Sequence, residues 1–512
     1  MEMVNIGDIT FSTPLVLILI MSILLLWAAE KRLRVSRLPP GPTRWPIVGN
    51  LMQIGILPHK DMAHFCSSYG PLVYLRLGTV DAITTDDPAV VREILVRQDD
   101  LFASRPKLVC ALQLSYGGRG IVFAPIGPQW KRLRRTCVEH LLTARRFESF
   151  SENRALEALQ LMRDVREKAC KGEIIEVNQV LGAFTMNNVT RMLLGTRYLG
   201  TGPAEGAELL SLTNQLFCLL GSFYPGDYLP LWRWLVDFFV GTEKKIREIS
   251  RRLDGFLQRI IDEHRQAIEA KNQTDGGHGE DRDFVVVLLS LQMDVREMKA
   301  IMLDIFAGGT DTSAVAIEWA MAEAIKNPKV LERAREELDR VVGPDRMVRE
   351  SDLGDLNYLR CIVRETFRMH PPVPLLVPHE STQATELMGY DIPAKTRVFI
   401  NAHALGRNKR VWGDDADEFQ PERHLPAADG EKVEVLRKGE LEILPFGAGK
   451  RRCPGVTGGM TLVLLALANL FHGFDWEALE EIDMEEAFGL VLRKAKPLRA
   501  MARPRLAPAL FQ

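Results

Sequence analysis

The sequence predicts a mainly α-helical protein with small β-sheets, preceded by one N-terminal transmembrane helix. Helical periodicity dominates from Asp61 onward, whereas the extended runs, such as 72–77 and 397–400, are short. Residues 9–29 carry no charge, and a helix of that length just crosses a bilayer. Because the 512-residue chain has no long internal linker, we expect the remainder to form one large domain.

The charges around the apolar run predict its orientation in a membrane. Basic residues follow the run at Lys31, Arg32, Arg34 and Arg37. The positive-inside rule therefore leaves the N-terminus luminal. A cleaved signal peptide is the alternative, but the positive charge comes after the run and no clear small-residue cleavage site is present. The expected segments are a luminal N-terminus (1–8), a transmembrane signal anchor (9–29), a basic and proline-rich hinge (30–44) and a cytosolic domain (45–512).

The composition excludes several classes of protein. The 65 basic and 67 acidic residues give a net charge of only −2, so no basic bias indicates a nucleic-acid partner. The seven cysteines are scattered, odd in number and contain no CxxC pair. They are typical of reduced cytosolic thiols, and they predict neither a disulfide framework nor a zinc site.

A cysteine in a glycine-rich loop near the C-terminus is the strongest chemical signal. Phe446 lies seven residues before Cys453, Gly449 four before, Arg451 two before and Gly455 two after. Glycines let the backbone wrap around sulfur, and Arg451 and its neighbours favour the ionised thiolate. A small buried cysteine is the alternative interpretation. The spacing is similar to the haem-binding signature of the cytochrome P-450 superfamily, which implies a P-450 fold with Cys453 as the axial ligand of haem iron.

An apolar helix predicted over 301–324 is interrupted by glycines and hydroxyl side chains. On one face Gly308 leaves room for a planar ligand or O2, and Thr312 offers a hydroxyl beside that space. Asp311 supplies a carboxylate one residue away that can resupply protons. The same residues could instead mark close helix packing or an N-cap. Their resemblance to the superfamily's oxygen-activation motif favours Asp311 and Thr312 as the catalytic pair.

The resemblance also implies residues around the haem propionates. Trp130 and Arg134 match a W-x-x-x-R helix whose side chains approach a propionate, alongside Phe446 and Arg451 of the cysteine loop. A solvated basic face is the alternative, and the same cluster could dock an acidic reductase. His379 stands where many plant relatives have arginine, and histidine can donate one such hydrogen bond.

Three residues are expected to support the site without taking part in the chemistry. Glu365 and Arg368 lie three apart on a predicted helix and can pair, and Arg423 follows farther along the chain. The resemblance implies that these three form a buried network behind the haem.

Within the superfamily, several stretches resemble the anther laurate in-chain hydroxylases of the plant microsomal class. They are 70–78, 181–190, 364–371 and 378–381. This resemblance implies mid-chain hydroxylation of a medium-chain saturated fatty acid, lauric acid at carbon 7, for sporopollenin, pollen exine and anther cuticle. It also implies haem b, O2 and NADPH-derived electrons, a membrane-bound NADPH-cytochrome reductase as partner, and a monomer in the endoplasmic reticulum membrane.

The resemblance also implies five segments that contact the substrate, which are largely apolar but do not select one substrate. They are 108–123, 216–224, 301–306, 373–377 and 488–490. A fatty chain, a terpene or a phenylpropanoid would bury equally well there. A reductase-independent haem-thiolate isomerase or dehydratase and a non-catalytic haem or lipid carrier also stay open. In-chain oxidation needs the substrate carboxylate held at a fixed distance, for which Arg119 or a backbone N–H group is a candidate.

Overall fold

The computed structural model describes residues 3–6, 9–12, 37–199, 205–274, 283–426 and 431–511. At the N-terminus, β1 (Met3–Ile6) pairs with β2 (Ile9–Ser12) in antiparallel register, with Val4 opposite Phe11. Strand β2 occupies the first four residues of the predicted anchor, 9–29, and the rest of that segment lies outside the described residues. The transmembrane helix therefore stays a prediction.

Helices make up most of the described chain, as the sequence predicts. They are α1 (Pro58–Tyr69), α2 (Pro88–Arg92), α3 (Asp99–Phe102), α4 (Val109–Leu114), α5 (Pro128–His140), α6 (Ala144–Ser149), α7 (Ser151–Cys170), α8 (Val177–Leu194), α9 (Glu205–Gly221), α10 (Arg233–Val240), α11 (Thr242–Thr274), α12 (Phe284–Ser290), α13 (Val295–Lys326), α14 (Pro328–Val341), α15 (Asn357–Met369), α16 (Ala402–Leu405), α17 (Lys409–Trp412) and α18 (Val456–Gly473).

The sheets are small, which confirms the predicted fold class. Besides β1 and β2, the described strands are β3 (Val73–Leu77), β4 (Val80–Thr85), β5 (Ile175–Glu176), β6 (His379–Glu380), β7 (Thr385–Leu387), β8 (Tyr390–Ile392), β9 (Arg397–Ile400), β10 (Phe474–Ala478), β11 (Glu486–Ala487), β12 (Arg493–Lys494) and β13 (Arg499–Pro504). The largest sheet has the order β3-β4-β9-β6, and its β4–β9 pair is parallel. A second sheet has the order β10-β13-β5, and β7–β8 and β11–β12 are two-stranded pairs.

Helix α13 is the central element of the fold. The Asp294 side chain begins it by accepting hydrogen bonds from the N–H groups of Arg296 (3.0 Å) and Glu297 (3.3 Å). The helix packs against α8, α15 and α18. A Cβ atom on Gly309 would lie only 2.7 Å from Val189 of α8, so the absence of a side chain there permits close packing of the two helices.

Two described helices are long and apolar enough to cross a membrane by length and composition. They are α13 and α18, and about two-thirds of the apolar window of each (67%) is buried inside the protein. Both belong to the core around the site, so their hydropathy reflects burial within the fold.

Candidate active site

The Cys453 loop is shaped by glycines and ends at the start of α18. Gly447 and Gly449 both have φ of +64°, a left-handed conformation that favours glycine. A Cβ on Gly449 would also overlap the backbone oxygen of Leu95. The Cys453 N–H donates to the carbonyl oxygen of Phe446 (2.9 Å), which closes the loop. The thiol is thereby placed just before a helix N-terminus, where an anion is favoured.

The Cys453 thiol opens onto a cavity inside the protein. Burial raises the pKa of Cys453, whereas the Gly455 N–H and the guanidinium groups of Arg134 and Arg452 lower it. The Arg451 guanidinium does not bind the thiol; it donates to the carbonyl oxygens of Ala103 (2.7 Å), Ile121 (3.2 Å) and Ala124 (2.5 Å). The cations that favour the thiolate are thus Arg134 and Arg452; the sequence predicted Arg451 and its neighbours, of which Arg452 is one.

The cavity has a volume of about 350 Å³ and walls that are mostly apolar. Each of the five segments predicted to contact substrate contributes to it. One side chain from each is Phe123, Leu216, Ile305, Val373 and Leu490. The segments that the family resemblance implied therefore all reach the wall of this cavity.

Three arginines in the cavity wall have no carboxylate within ion-pair distance in the part of the chain that the structure describes. Arg105, Arg134 and Arg451 all face the cavity, and within the described residues none forms an ion pair with a carboxylate. Burial, and then Arg134, lowers the pKa of Arg451 to about 10, which leaves it charged at neutral pH. Buried cations need counter-ions, and the two carboxylates of haem would supply them. With the Cys453 thiol in the same cavity, the residues present fit haem.

Arg105 is the member of this set that sequence reasoning missed. Its guanidinium donates to the carbonyl oxygens of Val122 (3.1 Å), Val377 (2.6 Å) and Pro378 (2.9 Å). Lys107 lies only two residues away in the sequence, and no local pattern distinguishes it from Arg105, yet Lys107 is exposed to solvent. Only the folded chain, which buries Arg105, distinguishes them.

His379 lies in the cavity wall, but its hydrogen bonding differs from the prediction. Its Nδ1 is 2.9 Å from the carbonyl oxygen of Phe102, and since a carbonyl only accepts, Nδ1 carries the hydrogen. Burial, and then the charge of Arg105, holds the pKa of His379 well below its usual value. In the neutral ring Nε2 carries no hydrogen and is an acceptor, whereas the predicted hydrogen bond to a haem carboxylate needs the protonated ring.

Trp130 lies behind the cationic wall. Its indole N–H donates to the carbonyl oxygen of Ile121 (3.0 Å), and its ring lies 4.3 Å from the Arg451 guanidinium and 5.7 Å from that of Arg134. Trp130 is buried and is not part of the cavity wall. It therefore orients the two arginines that face the cavity.

The predicted acid and alcohol of α13 point in different directions. The Thr312 hydroxyl lines the cavity and donates to the carbonyl oxygen of Gly308 (2.7 Å). A Cβ on Gly308 would meet no atom within 4 Å, so this glycine leaves open space. The Asp311 carboxylate instead pairs with the Arg493 guanidinium from β12. Burial raises the pKa of Asp311 and the charge of Arg493 opposes that rise.

Glu365, Arg368 and Arg423 lie together, where α15 meets the segment 415–424. Arg368 donates to both Glu365 oxygens (2.8 Å each), and Arg423 Nε donates to Oε1 (3.0 Å). His424, which the sequence did not single out, lies 2.7 Å from Oε2. Burial by itself would raise the pKa of Glu365, but the hydrogen bonds from Arg368 and His424 lower that pKa to about 2.

Phe446 lines the cavity and packs edge-to-face on Phe367 of α15, with ring centroids 5.7 Å apart. A Cβ on Gly459 would lie 3.4 Å from the Phe446 ring.

Arg119 is half-exposed and lies outside the cavity wall, 3.8 Å from the Asp294 carboxylate. The hypothesis that Arg119 holds a substrate carboxylate requires it in the cavity wall, and the structure places it outside.

Comparison with known proteins gives a consistent result along the chain. The family model described as Cytochrome P450 matches residues 39–501. The chain is 57% identical over 493 residues to Cytochrome P450 703A2 of Oryza sativa subsp. japonica, covering 93% of each protein. It is 55% identical over 506 residues to Cytochrome P450 703A2 of Arabidopsis thaliana, covering 96% and 98%. A Flavonoid 3'-monooxygenase of Petunia hybrida is 38% identical over 488 residues, covering 92% of each protein.

Proposed function

Since this chain belongs to the cytochrome P450 family, we propose that it is a monooxygenase that hydroxylates medium-chain saturated fatty acids within the chain. The family uses haem b, O2 and electrons from NADPH. The observation that carries the proposal is a mostly apolar cavity onto which both the Cys453 thiol and the Thr312 hydroxyl open. Such a cavity buries an acyl chain beside the cofactor.

The cysteine, the three arginines, Trp130 and His379 then have defined roles toward the cofactor. Cys453 Sγ is the iron ligand, and Arg105, Arg134 and Arg451 neutralise the haem carboxylates. Trp130 keeps the arginines in place. His379 contributes an Nε2 acceptor, which suits a protonated carboxyl group or a water molecule. When bound, haem supplies the redox chemistry by which one oxygen atom of O2 enters a C–H bond.

Proton supply is the task of α13. Thr312 Oγ1 holds a hydroxyl proton at the cavity wall, and Asp311 is the nearby acid that replenishes it. Because Asp311 Oδ2 is bound to Arg493, transfer toward Thr312 requires that carboxylate to leave the guanidinium or to act through water. Gly308 keeps the space beside Thr312 free of side chains.

For the substrate, we propose lauric acid, hydroxylated at carbon 7 to supply sporopollenin, pollen exine and anther cuticle. The support is the resemblance to anther in-chain hydroxylases and the high identity to two proteins named Cytochrome P450 703A2. We further propose that the chain is a monomer anchored in the endoplasmic reticulum membrane through 9–29, and that it receives electrons from a membrane-bound NADPH-cytochrome reductase.

The test is turnover by the full chain in microsomes supplemented with a plant reductase. Dodecanoic acid is offered beside hexadecanoic acid, a flavanone and a monoterpene, and the position of the new hydroxyl is determined by mass spectrometry. We expect NADPH-dependent formation of mid-chain hydroxydodecanoic acid, and none from Cys453→Ala. Oxidation of the flavanone or the terpene without oxidation of either acid would contradict the proposed substrate.

A further inference from the structure

We propose that Asp304 is a positioning residue that fixes the segment 118–124 across the cavity and thereby determines which carbon of the substrate is oxidised. The assignment of regiochemistry rests on the proposed monooxygenase function. The role of Asp304 in holding the segment rests on geometry alone.

Asp304 lies on α13 and faces the cavity. Its Oδ2 accepts hydrogen bonds from the backbone N–H groups of Ile121 (2.5 Å) and Val122 (3.1 Å). Within the described residues it forms no ion pair, so two main-chain N–H groups are its hydrogen-bond partners. Burial raises the pKa of Asp304 to about 6, although those N–H groups lower it. A buried carboxylate with only backbone partners holds the loop closely, because leaving either partner unsatisfied is costly.

Gly120 shows how closely the segment approaches α13. A Cβ built on Gly120 would overlap Asp304 Oδ2 and would lie 3.0 Å from Cγ. The neighbouring Gly118 has φ of +84°, which favours glycine as well. The two features together bring the backbone of Ile121 and Val122 onto the carboxylate.

The opposite edge of the same segment binds the cationic wall. The Ile121 carbonyl oxygen accepts from Trp130 and Arg451, and the Val122 carbonyl oxygen accepts from Arg105 (3.1 Å). The segment therefore lies between α13, through its N–H groups, and the cations that face the cofactor, through its carbonyl groups. Asp304 connects the position of the substrate wall to the position of the cofactor.

Ile121, Val122 and Phe123 line the cavity. Which carbon is oxidised depends on where the acyl chain lies relative to Cys453, and a shift of about 1 Å is enough to change reactivity strongly. Since Asp304 fixes the backbone that carries these three side chains, it acts on regiochemistry through them without having to touch the acyl chain.

Four variants of the full-length holoprotein test this role. They are Asp304→Ala, Asp304→Asn, Gly120→Ala and the double variant Gly120→Ala/Asp304→Ala. Asp304→Asn keeps an oxygen acceptor, so it is the conservative replacement. Asp164→Ala is the matched control, because it makes the same substitution on α7, outside the cavity wall, where the Asp164 partner is Gln160 of the same helix. The reduced-CO spectrum verifies folding and haem incorporation for each.

The first readout needs no substrate. Amide hydrogen exchange of the peptide that contains 118–124 should accelerate at least about tenfold in Asp304→Ala, and should stay near the parent rate in Asp304→Asn and Asp164→Ala. Unchanged exchange in Asp304→Ala would overturn the positioning role. Because no turnover is involved, this result is independent of whether fatty acids are substrates.

The second readout is the distribution of hydroxylated isomers from whichever substrate the parent oxidises. Asp304→Ala and Gly120→Ala should each lower the share of the major isomer at least about twofold, and Asp304→Asn should restore most of it. The double variant should be no worse than Asp304→Ala, since the added methyl group then meets no carboxylate. An unchanged isomer distribution in Asp304→Ala, or an additive loss in the double variant, would overturn the proposal.

Discussion

Asp311 and Thr312 are consecutive residues whose side chains point into different parts of the protein. The hydroxyl of Thr312 faces the cavity and at present donates to Gly308, whereas the carboxylate of Asp311 is buried against Arg493. A hydroxyl that holds a proton beside reacting oxygen should decide whether reducing equivalents yield product or are wasted.

Thr312→Ala should therefore lower the hydroxylated product formed per NADPH by at least about tenfold, while NADPH oxidation continues. Thr312→Ser should retain coupling because it keeps the hydroxyl. Thr310→Ala is the matched control on the same helix, since Thr310 is buried outside the cavity wall and donates to Phe306. Equal coupling in Thr312→Ala and the parent would show that this hydroxyl has no role in proton supply.

Arg493 should set the pH dependence of the same coupling. Burial raises the pKa of Asp311 and Arg493 opposes that rise, so Arg493→Gln should raise the pKa further and keep Asp311 protonated to higher pH. The coupling profile measured between pH 6 and 9 should move toward higher pH, and Arg493→Lys should leave it near the parent. Superimposable profiles for Arg493→Gln and Arg493→Lys would contradict this.

At the scale of elements, the Glu365 network joins α15 to the segment before the cysteine loop. Glu365 and Arg368 are fully buried, and Arg368 also donates to the carbonyl oxygens of Ala416 (2.5 Å) and Glu418 (2.8 Å). Removing one member of such a network leaves the other charge buried and uncompensated.

Glu365→Gln should destabilise the protein by about 3–5 kcal/mol at pH 7. The pKa of Glu365 is lowered to about 2, so its contribution is complete above the unfolded value near 4.5 and is lost as pH falls from there toward 2. The difference in thermal stability between parent and variant should thus be constant above pH 5 and shrink below about 4.5. Near-UV circular dichroism measures it. A difference that grew on acidification would contradict this sign.

Local patterns in the sequence predict some elements of the site and not others. The Cys453 loop follows from glycines and cations at fixed spacing, and Thr312 from its place on an apolar helix. Arg493 and Asp311 are 182 residues apart, and Asp304 meets Ile121 across 183 residues. No periodicity links such pairs, since only the packing of β12 and of segment 118–124 against α13 brings them together. For the same reason the burial of Arg105 was not predictable.

At the scale of the whole molecule, two groups of exposed apolar side chains lie near each other on the surface. On α10, Trp234, Phe238 and Phe239 are 73%, 79% and 77% exposed. A second group, which includes Trp45 and Ile56, lies in the segment just after the predicted anchor and hinge. The two groups are linked through the end of β3. Just after β3, the Thr79 N–H donates to the carbonyl oxygen of Tyr228 (2.8 Å), which precedes α10. Leu77 of β3 forms a β-bridge with Gly49, which lies between Trp45 and Ile56 in the chain. Exposed patches of this kind mark contact with a partner or a membrane.

A chain that begins at residue 37 should consequently still bind lipid vesicles without the anchor. The triple variant Trp234→Ser/Phe238→Ser/Phe239→Ser should shift most of it from the vesicle pellet to the supernatant, because burial of these aromatic side chains in the bilayer interface drives binding. The control replaces three half-exposed apolar residues elsewhere, Leu156, Ile174 and Leu479, by serine and should leave binding unchanged. Equal sedimentation of the α10 variant and the control would show that this surface contacts something other than lipid, and that membrane attachment depends on residues 1–36 alone.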